Sequence, residues 1–565
     1  MALATRIWPA DGRTEDAAVG DGAGQHPLED RYYEAQFDAL GLRPRGSNEW
    51  AVAPSRTRDG HALLLINPHQ SFVGVQRYAE IHIDSREGLR FSGLTVFGFL
   101  LPYMGHNDRL GWAYTDNYAD HSDLYAIAFD DPARPLSYRY GDGRRDAIAW
   151  SDSIAVRTGD RAFEIRRFEF RRTHHGPIVG LDDAGRPLAV KMARYEDGGW
   201  FDQWDAMIRA RSMDEWRAAL APLHVAYMNT MYADADGNIG YLYLSAVPRR
   251  LPGVDPAGIL DGSDPRTEWQ DFHELSELPQ VWNPPSGWLM NTNSTPFTAT
   301  VDLPFARHDF PAYMIGDEAH NTRAVSSRMV LESLTDVSFD EFARIVWDTR
   351  LSAADRSLPE LFAQWGTGGS VSAEGVDAKV IADAVTRLRA WDRRAAAESV
   401  ETTWFVLASE RHALSMARGE RRWVTALAGA LRSIQEVWGR VDVPWGELNR
   451  HQRPLPGAPV ELDPARPSLP IDGTHAELGS VFSYAGRPTG EARPRLGRGG
   501  NSFVMVMQFG PEVRAASILN YGQSGDPDSP HFFDQASLYA RRSFKPAWFS
   551  REDVVANAVR SYDVR

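Results

Sequence analysis

Short apolar runs bounded by turn residues constrain what this chain can fold into more than any other feature of its sequence. Before residue 120 these runs are AVAPS (51–55), HALLLIN (61–67), YAEIHID (78–84) and RLGWAYT (109–115). Similar runs return near the C-terminus at FVMVMQF (503–509) and VRAASILNY (513–521). Their aromatic and β-branched residues are typical of strands, so the sequence predicts a large antiparallel sheet system.

Helical patterns separate the two groups of runs. Ser212 and Ser338 each stand three residues before a glutamate and ahead of an apolar segment, which is the spacing of a capping box at a helix start. Residues 373–392 and 402–438 are helical by period and composition. Strands, then helices, then strands predict one large α+β body.

The N-terminal residues differ from the rest of the chain. Residues 10–30 are rich in Gly, Ala and Asp without a steady period, which predicts a linker or tail. Residues 31–40 predict a short helix.

Composition excludes several classes of site and partner. The 565 residues include no cysteine, which excludes disulfides, a catalytic thiol and zinc–thiolate sites. A formal net charge of −15 argues against a nucleic-acid partner, because phosphate binding needs basic patches. No run reaches the roughly 18 apolar residues of a membrane helix, and the first residues lack the apolar stretch of a signal peptide. The sequence therefore predicts neither a nucleic-acid nor a membrane partner, and it leaves the compartment open.

The segment GSNEWAVAPS (46–55) opens a series of motifs that carry chemistry. The motifs that follow, in order, are NPHQSF (67–72), GHNDRLGW (105–112), HHGPIV (174–179), YADADGNIGY (232–241), NPPSGWLMNTNSTP (283–296) and YGQSGDPDSPHFFDQ (521–535). Each motif alone is weak, but together they resemble the β-chain region of the penicillin acylase family of N-terminal-nucleophile hydrolases. That family includes penicillin, cephalosporin and acyl-homoserine-lactone acylases, and the resemblance runs from about residue 46 to the C-terminus.

The resemblance implies a fold, a division of the chain and an activity. The fold is α+β, a four-layer αββα sandwich with two antiparallel sheets between helical layers. Residues 47–565 correspond to an acylase β-chain-like catalytic domain, and residues 1–46 to a spacer or remnant of the α-chain region. The activity is hydrolysis of a linear amide, removing an acyl group from a β-lactam, an acyl-homoserine lactone, or an acylated peptide or amine.

Ser47 matches the nucleophile of this family. A serine hydroxyl attacks poorly unless a base takes its proton, and in this family the base is the serine's own α-amine, whose ordinary pKa is about 7.7–8.0. That amine exists only after the preceding peptide bond is cut, so the resemblance implies self-cleavage between Gly46 and Ser47. Glycine at position 46 leaves the scissile carbonyl open to attack.

The resemblance also assigns the residues around the nucleophile. A tetrahedral intermediate needs hydrogen-bond donors for its oxyanion, and the side-chain amide of Asn293 and the backbone N–H of Asp116 match the family's donors. His69 matches a histidine that lies near the nucleophile's amine. Arg323 matches the family's active-site arginine, which holds the polar network together.

An apolar acyl pocket is predicted next to these residues. The positions that hold the acyl carboxylate in glutaryl-type cephalosporin acylases correspond here to Ala79 and Tyr103, so that acyl group would have no cationic partner. With Phe97 and Met104, Tyr103 predicts a pocket for an aliphatic or aromatic acyl group.

A calcium site is a further expectation from the resemblance. Asp120 and Asp123 match calcium-binding positions of some penicillin acylases, and calcium takes six to eight oxygen ligands. Two solvated or helix-capping aspartates are the alternative. No organic cofactor is expected.

One departure leaves the activity open at this stage. The family carries a long α chain before the serine, whereas only 46 residues precede Ser47 here. The α part is therefore expected to be missing from a truncated reading frame, to be a separate partner, or not to be needed. A periplasmic or secreted location is expected by resemblance alone. The alternatives are an unprocessed, inactive relative that at most binds ligands, and an unrelated serine hydrolase that uses a triad.

Overall fold

The computed structural model describes residues 46–74, 77–99, 101–159, 161–316, 318–366, 376–416, 422–486 and 489–561. The linker and the short helix predicted within residues 1–45 lie outside these described residues.

The strands are short and fill most of the described chain outside its central helical part. They are β1 Ser47–Val52, β2 Ala62–Ser71, β3 Tyr78–Asp84, β4 Arg90–Val96, β5 Met104–His106, β6 Leu110–Thr115, β7 Ser122–Ala126, β8 Ser137–Tyr140, β9 Gly143–Asp146, β10 Ile148–Arg157, β11 Phe163–Thr173, β12 Gly176–Leu181, β13 Pro187–Met192, β14 Tyr227–Asp234, β15 Ile239–Ser245, β16 Ile259–Asp261, β17 Gln280–Trp282, β18 Trp288–Asn291, β19 Asn449–His451, β20 Leu469–Pro470, β21 Tyr484–Ala485, β22 Arg495–Leu496, β23 Gly499–Asn501, β24 Phe503–Phe509, β25 Val513–Leu519 and β26 Lys545–Pro546.

The helices lie mainly between β13 and β19. They are α1 Trp200–Arg209, α2 Met213–Leu220, α3 Thr322–Ser333, α4 Phe339–Ile345, α5 Ser352–Gly366, α6 Ala378–Ala390, α7 Val400–Met416, α8 Trp423–Trp438, α9 Trp445–Leu448, α10 Ala536–Ala540 and α11 Arg551–Ala556.

Two antiparallel sheets form the centre of the molecule. The first has the strand order β18-β1-β2-β24-β25-β26. The last residues of β2 also pair with β23, which in turn pairs with β21. The second sheet has the order β17-β15-β14-β6-β5-β4-β3. Side chains alternate across each strand, so Ala51 of β1 and Leu64 of β2 enter the core between the sheets. Their neighbours Trp50 and Leu65 face the opposite side.

Helices cover the outer face of each sheet. Trp50 of the first sheet packs edge-on against Phe342 of α4. On the second sheet, Trp216 of α2 packs against Trp112 and Tyr232. The order helix, sheet, sheet, helix confirms the predicted four-layer αββα sandwich.

Two further parts flank the sandwich. Helices α5 to α8 form a helical cluster with its own buried core, and β10-β11-β12-β13-β7-β16 form a third sheet whose edge strand β10 is exposed along its whole length. Across the described part of the chain, no helix has both the length and the apolar character to cross a membrane.

Most of the strongly patterned segments fold as the sequence predicts. The strands predicted at 78–84 and 503–509 have those bounds as β3 and β24. Ser338 forms the predicted capping box at α4. Ser212 caps α2 through its own side chain, but Glu215 accepts from the backbone of Arg211 instead of completing the box.

Two predicted segments differ from the structure. The strand predicted at 51–55 ends at Val52, because Pro54 lacks the N–H that a central strand needs and starts a short 3₁₀ helix instead. For the helical stretch predicted at 402–438, the structure describes two helices, α7 and α8, which pack against each other.

Candidate active site

Ser47 is the first residue of β1 and is almost fully buried. Its hydroxyl donates a hydrogen bond of 2.7 Å to the carbonyl oxygen of Gly46, the residue before it. Gly46 has a φ of +99°, and a Cβ added there would come within 2.5 Å of Arg323 and Asn293. Position 46 therefore requires glycine for both its backbone conformation and its space.

Asn293 lies two residues after the end of β18 and has a left-handed backbone with a φ of +58°. Its backbone N–H donates to the Asn291 side chain at 2.7 Å, a local bond that helps asparagine residues hold such turns. Its side-chain oxygen accepts the Ser47 backbone N–H at 2.5 Å. Its side-chain nitrogen donates to the Asp116 carbonyl at 2.9 Å. The turn thus brings the two predicted oxyanion residues together beside Ser47.

Arg323 is buried in the first turn of α3. Its guanidinium donates to the Ser47 carbonyl at 2.5 Å, to the Asn48 side chain at 2.9 Å and to the Asn293 side chain at 3.0 Å. All three acceptors are neutral, and burial lowers the pKa of Arg323 to about 10. The helix start is fixed by Asn321, whose side chain accepts from the backbone of residue 324 and donates to the carbonyl of Asn293.

His69 touches the Gly46–Ser47 peptide through its backbone and not through its ring. Its backbone N–H donates to the Gly46 carbonyl at 2.7 Å, and its ring Nε2 lies 3.2 Å from the side-chain nitrogen of Asn48. Burial, and then the charge of Arg323, lower the pKa of His69 well below its ordinary value. The ring is therefore neutral near pH 7 and accepts the bond from Asn48.

A closed ring of buried side chains supports the oxyanion residues. Thr115 donates to Asn291 at 2.7 Å, Asn291 donates to Tyr241 at 3.4 Å, Tyr241 donates to Asn229 at 2.7 Å, and Asn229 donates back to Thr115 at 3.0 Å. Asn229 also donates to the Asp116 carbonyl at 3.2 Å. Sequence analysis did not single out Asn229 or Tyr241. The available signal was that each is a polar side chain in a strand rich in aromatic and apolar residues.

A cavity of about 420 Å³ lies beside Gly46, the residue before Ser47. The residues that line it are Gly46, Asp116, Tyr118, Asn293, Glu318, Ala319, Asn321, Thr322, Arg323, Ala476 and Glu477. Glu318 was also missed by sequence analysis. One of its carboxylate oxygens accepts from the Tyr243 hydroxyl at 2.5 Å and from the Tyr118 backbone at 2.7 Å. Burial raises the pKa of Glu318 to about 7, although the bond from Tyr243 opposes the shift.

The residues predicted for the acyl pocket do not line this cavity. Phe97 follows the end of β4, is 57% exposed and lies under the guanidinium of Arg77. Met104 is buried in the core between the sheets. Tyr103 packs against Trp204, with ring centroids 5.7 Å apart. The prediction that these three residues form the acyl pocket therefore remains a prediction.

The predicted calcium residues are neutralised by an arginine. The buried guanidinium of Arg250 donates to Asp120 at 3.1 Å and to both oxygens of Asp123 at 2.9 and 3.0 Å. The indole of Trp269 also donates to Asp123. A fixed cation thus occupies the space between the two carboxylates, so these residues do not fit a calcium site.

Another group of side chains has the composition of a metal site. Within the described ranges, His174, His175 and Glu268 place one ligand atom each within 4.8 Å of one another. However, Glu268 accepts from His174 at 2.7 Å and from Lys191 at 2.9 Å. Although burial alone would raise its pKa, these bonds bring the pKa of Glu268 down to about 2. The carboxylate is therefore already neutralised by the protein's own groups.

Comparison with known proteins agrees with this architecture. The sequence model of penicillin amidase matches residues 4–556. An acyl-homoserine lactone acylase PvdQ from Pseudomonas fluorescens is 25% identical over 570 residues, covering 91% of this chain and 70% of the relative. The penicillin acylase 2 proenzyme of Pseudomonas sp. strain SE83 is 27% identical over 582 residues, covering 93% of this chain and 70% of the relative.

The fold also matches a solved structure. A thermostable penicillin G acylase from Alcaligenes faecalis superposes with a TM-score of 0.64 over 92% of this chain and 99% of that chain. Sequence identity in this match is 19%, so the likeness concerns the fold.

Proposed function

This chain belongs to the penicillin amidase family of amide hydrolases, and we propose that Ser47 becomes its N-terminal nucleophile by self-cleavage of the Gly46–Ser47 bond. The observation that carries the proposal is the contact of 2.7 Å between the Ser47 hydroxyl and the carbonyl of the bond to be cut. The name of one relative, a proenzyme, is consistent with a chain that matures by cleavage.

The contacts of the Gly46 carbonyl support the first step. In this step the Ser47 hydroxyl oxygen attacks the Gly46 carbonyl carbon, and negative charge develops on the carbonyl oxygen. That oxygen already accepts the backbone N–H of His69 at 2.7 Å, which stabilises the charge. The C–N bond then breaks, the Ser47 nitrogen takes the proton that the hydroxyl gives up and becomes a free amine, and water hydrolyses the new ester to release the Gly46 carboxylate.

The surroundings of the Ser47 nitrogen support its later role as a base. This nitrogen lies 2.5 Å from the Asn293 side-chain oxygen, which would orient the free amine. The guanidinium of Arg323, bonded to the same oxygen at 3.0 Å, is a nearby positive charge. A nearby cation lowers the pKa of an amine, so a larger fraction of the Ser47 amine would be neutral at pH 7.

Acyl transfer follows from the same groups. The Ser47 amine takes the hydroxyl proton, the oxygen attacks the substrate's acyl carbon, and the leaving amine takes the proton as the amide bond breaks. The side-chain amide of Asn293 has two N–H groups, and one of them donates to Asp116. The second has no partner among the described residues, and we propose that it donates to the oxyanion together with the backbone N–H of Asp116. Water, activated by the Ser47 amine, then hydrolyses the acyl ester.

The substrate class follows from the relatives' names. Relatives are named acyl-homoserine lactone acylases and penicillin acylases, so we propose that the substrate is an acyl amide of an amino-lactone, a β-lactam, or an acylated peptide or amine. The curated relatives extend beyond the matched region, and we propose that an α chain completes the enzyme as a partner.

Turnover of a chromogenic acyl anilide tests this function. We expect release of the aniline by the unaltered protein, no release by Ser47→Ala, and normal release by the control Ser55→Ala, which alters an exposed serine. A peptide that begins at Ser47 and carries the acyl group should be trapped by acid quenching and mass spectrometry. Full turnover by Ser47→Ala would instead identify a serine hydrolase with a different nucleophile.

A further inference from the structure

Asp116 lines the cavity and is partly buried. Burial raises its pKa, and among the described residues no hydrogen bond or ion pair to this carboxylate is found. A carboxylate removed from water without a partner costs free energy. A positively charged ligand would offset that cost.

Tyr118 lines the same cavity as Asp116, and two further tyrosines are near enough to be affected by its charge. The pKa values of Tyr78, Tyr118 and Tyr227 are raised by burial and then by the charge of Asp116. Tyr118 lines the cavity and is 64% exposed, so part of its ring is open to a ligand. Tyrosine faces attract cations, and a carboxylate beside aromatic rings is a combination that binds ammonium groups.

The other charged residues of the cavity also favour a positively charged ligand. Arg323 is the one basic side chain among the described lining residues, and its guanidinium is bonded to neutral acceptors at the nucleophile. Glu318 adds a second carboxylate, and one of its oxygens is buried without a hydrogen-bond partner among the described residues. Glu477 is a third acidic lining residue. Acidic groups therefore outnumber basic groups three to one around the cavity.

We propose that this cavity selects acyl amides whose acyl group carries a protonated amine near the scissile bond, with Asp116 as the residue that binds the ammonium group. This proposal rests on the proposed function. It places the ammonium on the acyl part because the carbonyl of Asp116 is bonded to the predicted oxyanion donor Asn293. An amine on the first or second carbon after the acyl carbonyl would come closest to Asp116.

A pair of isosteric substrates tests the selectivity. β-Alanyl-4-nitroanilide and butanoyl-4-nitroanilide differ only in an ammonium group that replaces a methyl group. We expect the unaltered protein to favour the β-alanyl substrate in kcat/KM by about ten-fold, the effect typical of one hydrogen bond between charged groups. The ratio should approach one in Asp116→Asn, which keeps the backbone N–H, and should fall less in Glu318→Gln.

Controls separate a local contact from a general effect of charge. Glu332→Gln removes an exposed carboxylate from α3, where Glu332 pairs with Arg328, and it should leave the ratio unchanged. Between pH 6 and 8 the preference should increase as Glu318, whose pKa is about 7, loses its proton. A structural role of Asp116 would lower turnover of both substrates without moving the ratio.

The outcomes distinguish this inference from the function on which it rests. Equal turnover of the two anilides, or a preference that survives in Asp116→Asn, overturns the inference while the acylase function stands. Retained turnover in Ser47→Ala overturns the function instead. If neither anilide is hydrolysed, calorimetric binding of β-alaninamide and butanamide gives the same comparison. Tighter binding of β-alaninamide that is lost in Asp116→Asn supports the inference, and equal binding contradicts it.

Discussion

Arg250 and Arg323 are both buried, but their guanidinium groups meet different partners. Arg250 bonds to two carboxylates, those of Asp120 and Asp123. Arg323 bonds to neutral oxygens of Ser47, Asn48 and Asn293. One cation is therefore bonded directly to carboxylates, and the other is bonded to neutral oxygens, with the charge of Glu477 nearby.

This difference predicts a structural role for Arg250 and a functional role for Arg323. A buried ion pair that is fully bonded holds its parts in place, and removing one partner leaves the other charge buried. A buried cation with neutral partners is costly to the fold, and groups of this kind are concentrated at functional sites. Loss of Arg250 should therefore damage stability, whereas loss of Arg323 should damage chemistry.

The largest expected effect is on stability at Arg250. Arg250→Ala should lower the free energy of unfolding by about 3–5 kcal/mol, because Asp120 and Asp123 lose their cation. Urea unfolding measures the change. The matched control is Arg249→Ala, whose exposed pair with Glu277 should contribute at most about 1 kcal/mol. Equal losses in both variants would remove the distinction between the two arginines.

Treatment with a chelator tests the same role of Arg250. Because Arg250 supplies the cation between the two carboxylates, a chelator should leave the Tm of the unaltered protein unchanged. A Tm that falls with chelator and recovers with calcium would show that a metal ion, and not Arg250 alone, stabilises this region.

The next effect is on activity at Arg323. Arg323→Met should lower both the rate of self-cleavage and kcat by about 10²–10³, the range seen when one preorganised donor is lost from an active site. The free energy of unfolding should change little, because an unmatched buried charge is removed as well. Arg328→Met, on the exposed side of α3, is the control. Normal turnover of Arg323→Met together with a large loss of stability would contradict the functional role assigned to Arg323.

A smaller effect is expected in the hydrogen-bonded ring behind the oxyanion residues. Tyr241→Phe leaves the side-chain oxygen of Asn229 without its donor, which costs about 1–3 kcal/mol. Because Asn229 also holds the Asp116 carbonyl, kcat should fall while KM stays similar. Steady-state kinetics measure this, and a change in KM alone would mean that the ring does not position the oxyanion site.

The last effect is the pH dependence of stability contributed by Glu318. Its pKa of about 7 in the folded protein exceeds the ordinary value of 4.5, so the folded state binds the proton more tightly. The stability contributed by this group is therefore lost as pH rises from about 4.5 to 7. Glu318→Gln should flatten the decline of unfolding free energy over that interval, and an unchanged decline would assign it to other groups.

The sequence predicted local features of the fold better than contacts between distant residues. β3 and β24 were predicted with their observed bounds because their apolar patterns are local. The resemblance to a family pointed to Ser47 and Asn293, although 246 positions separate them. Nothing in the local sequence showed that Arg250 would meet Asp123, 127 positions away.

Buried polar groups were the other limit of prediction. Glu318 and Tyr241 look like ordinary loop and strand residues in the sequence. Their roles depend on burial and on partners contributed by other strands, which a single sequence does not reveal.

The intact mass and N-terminal sequence of the purified protein test the central claim most directly. The account predicts a chain that begins Ser-Asn-Glu-Trp at residue 47, and an uncut chain in Ser47→Ala. The control Ser55→Ala should be cut normally. An active preparation whose chain still contains the Gly46–Ser47 bond would contradict the account, because no free amine would then exist to activate the nucleophile.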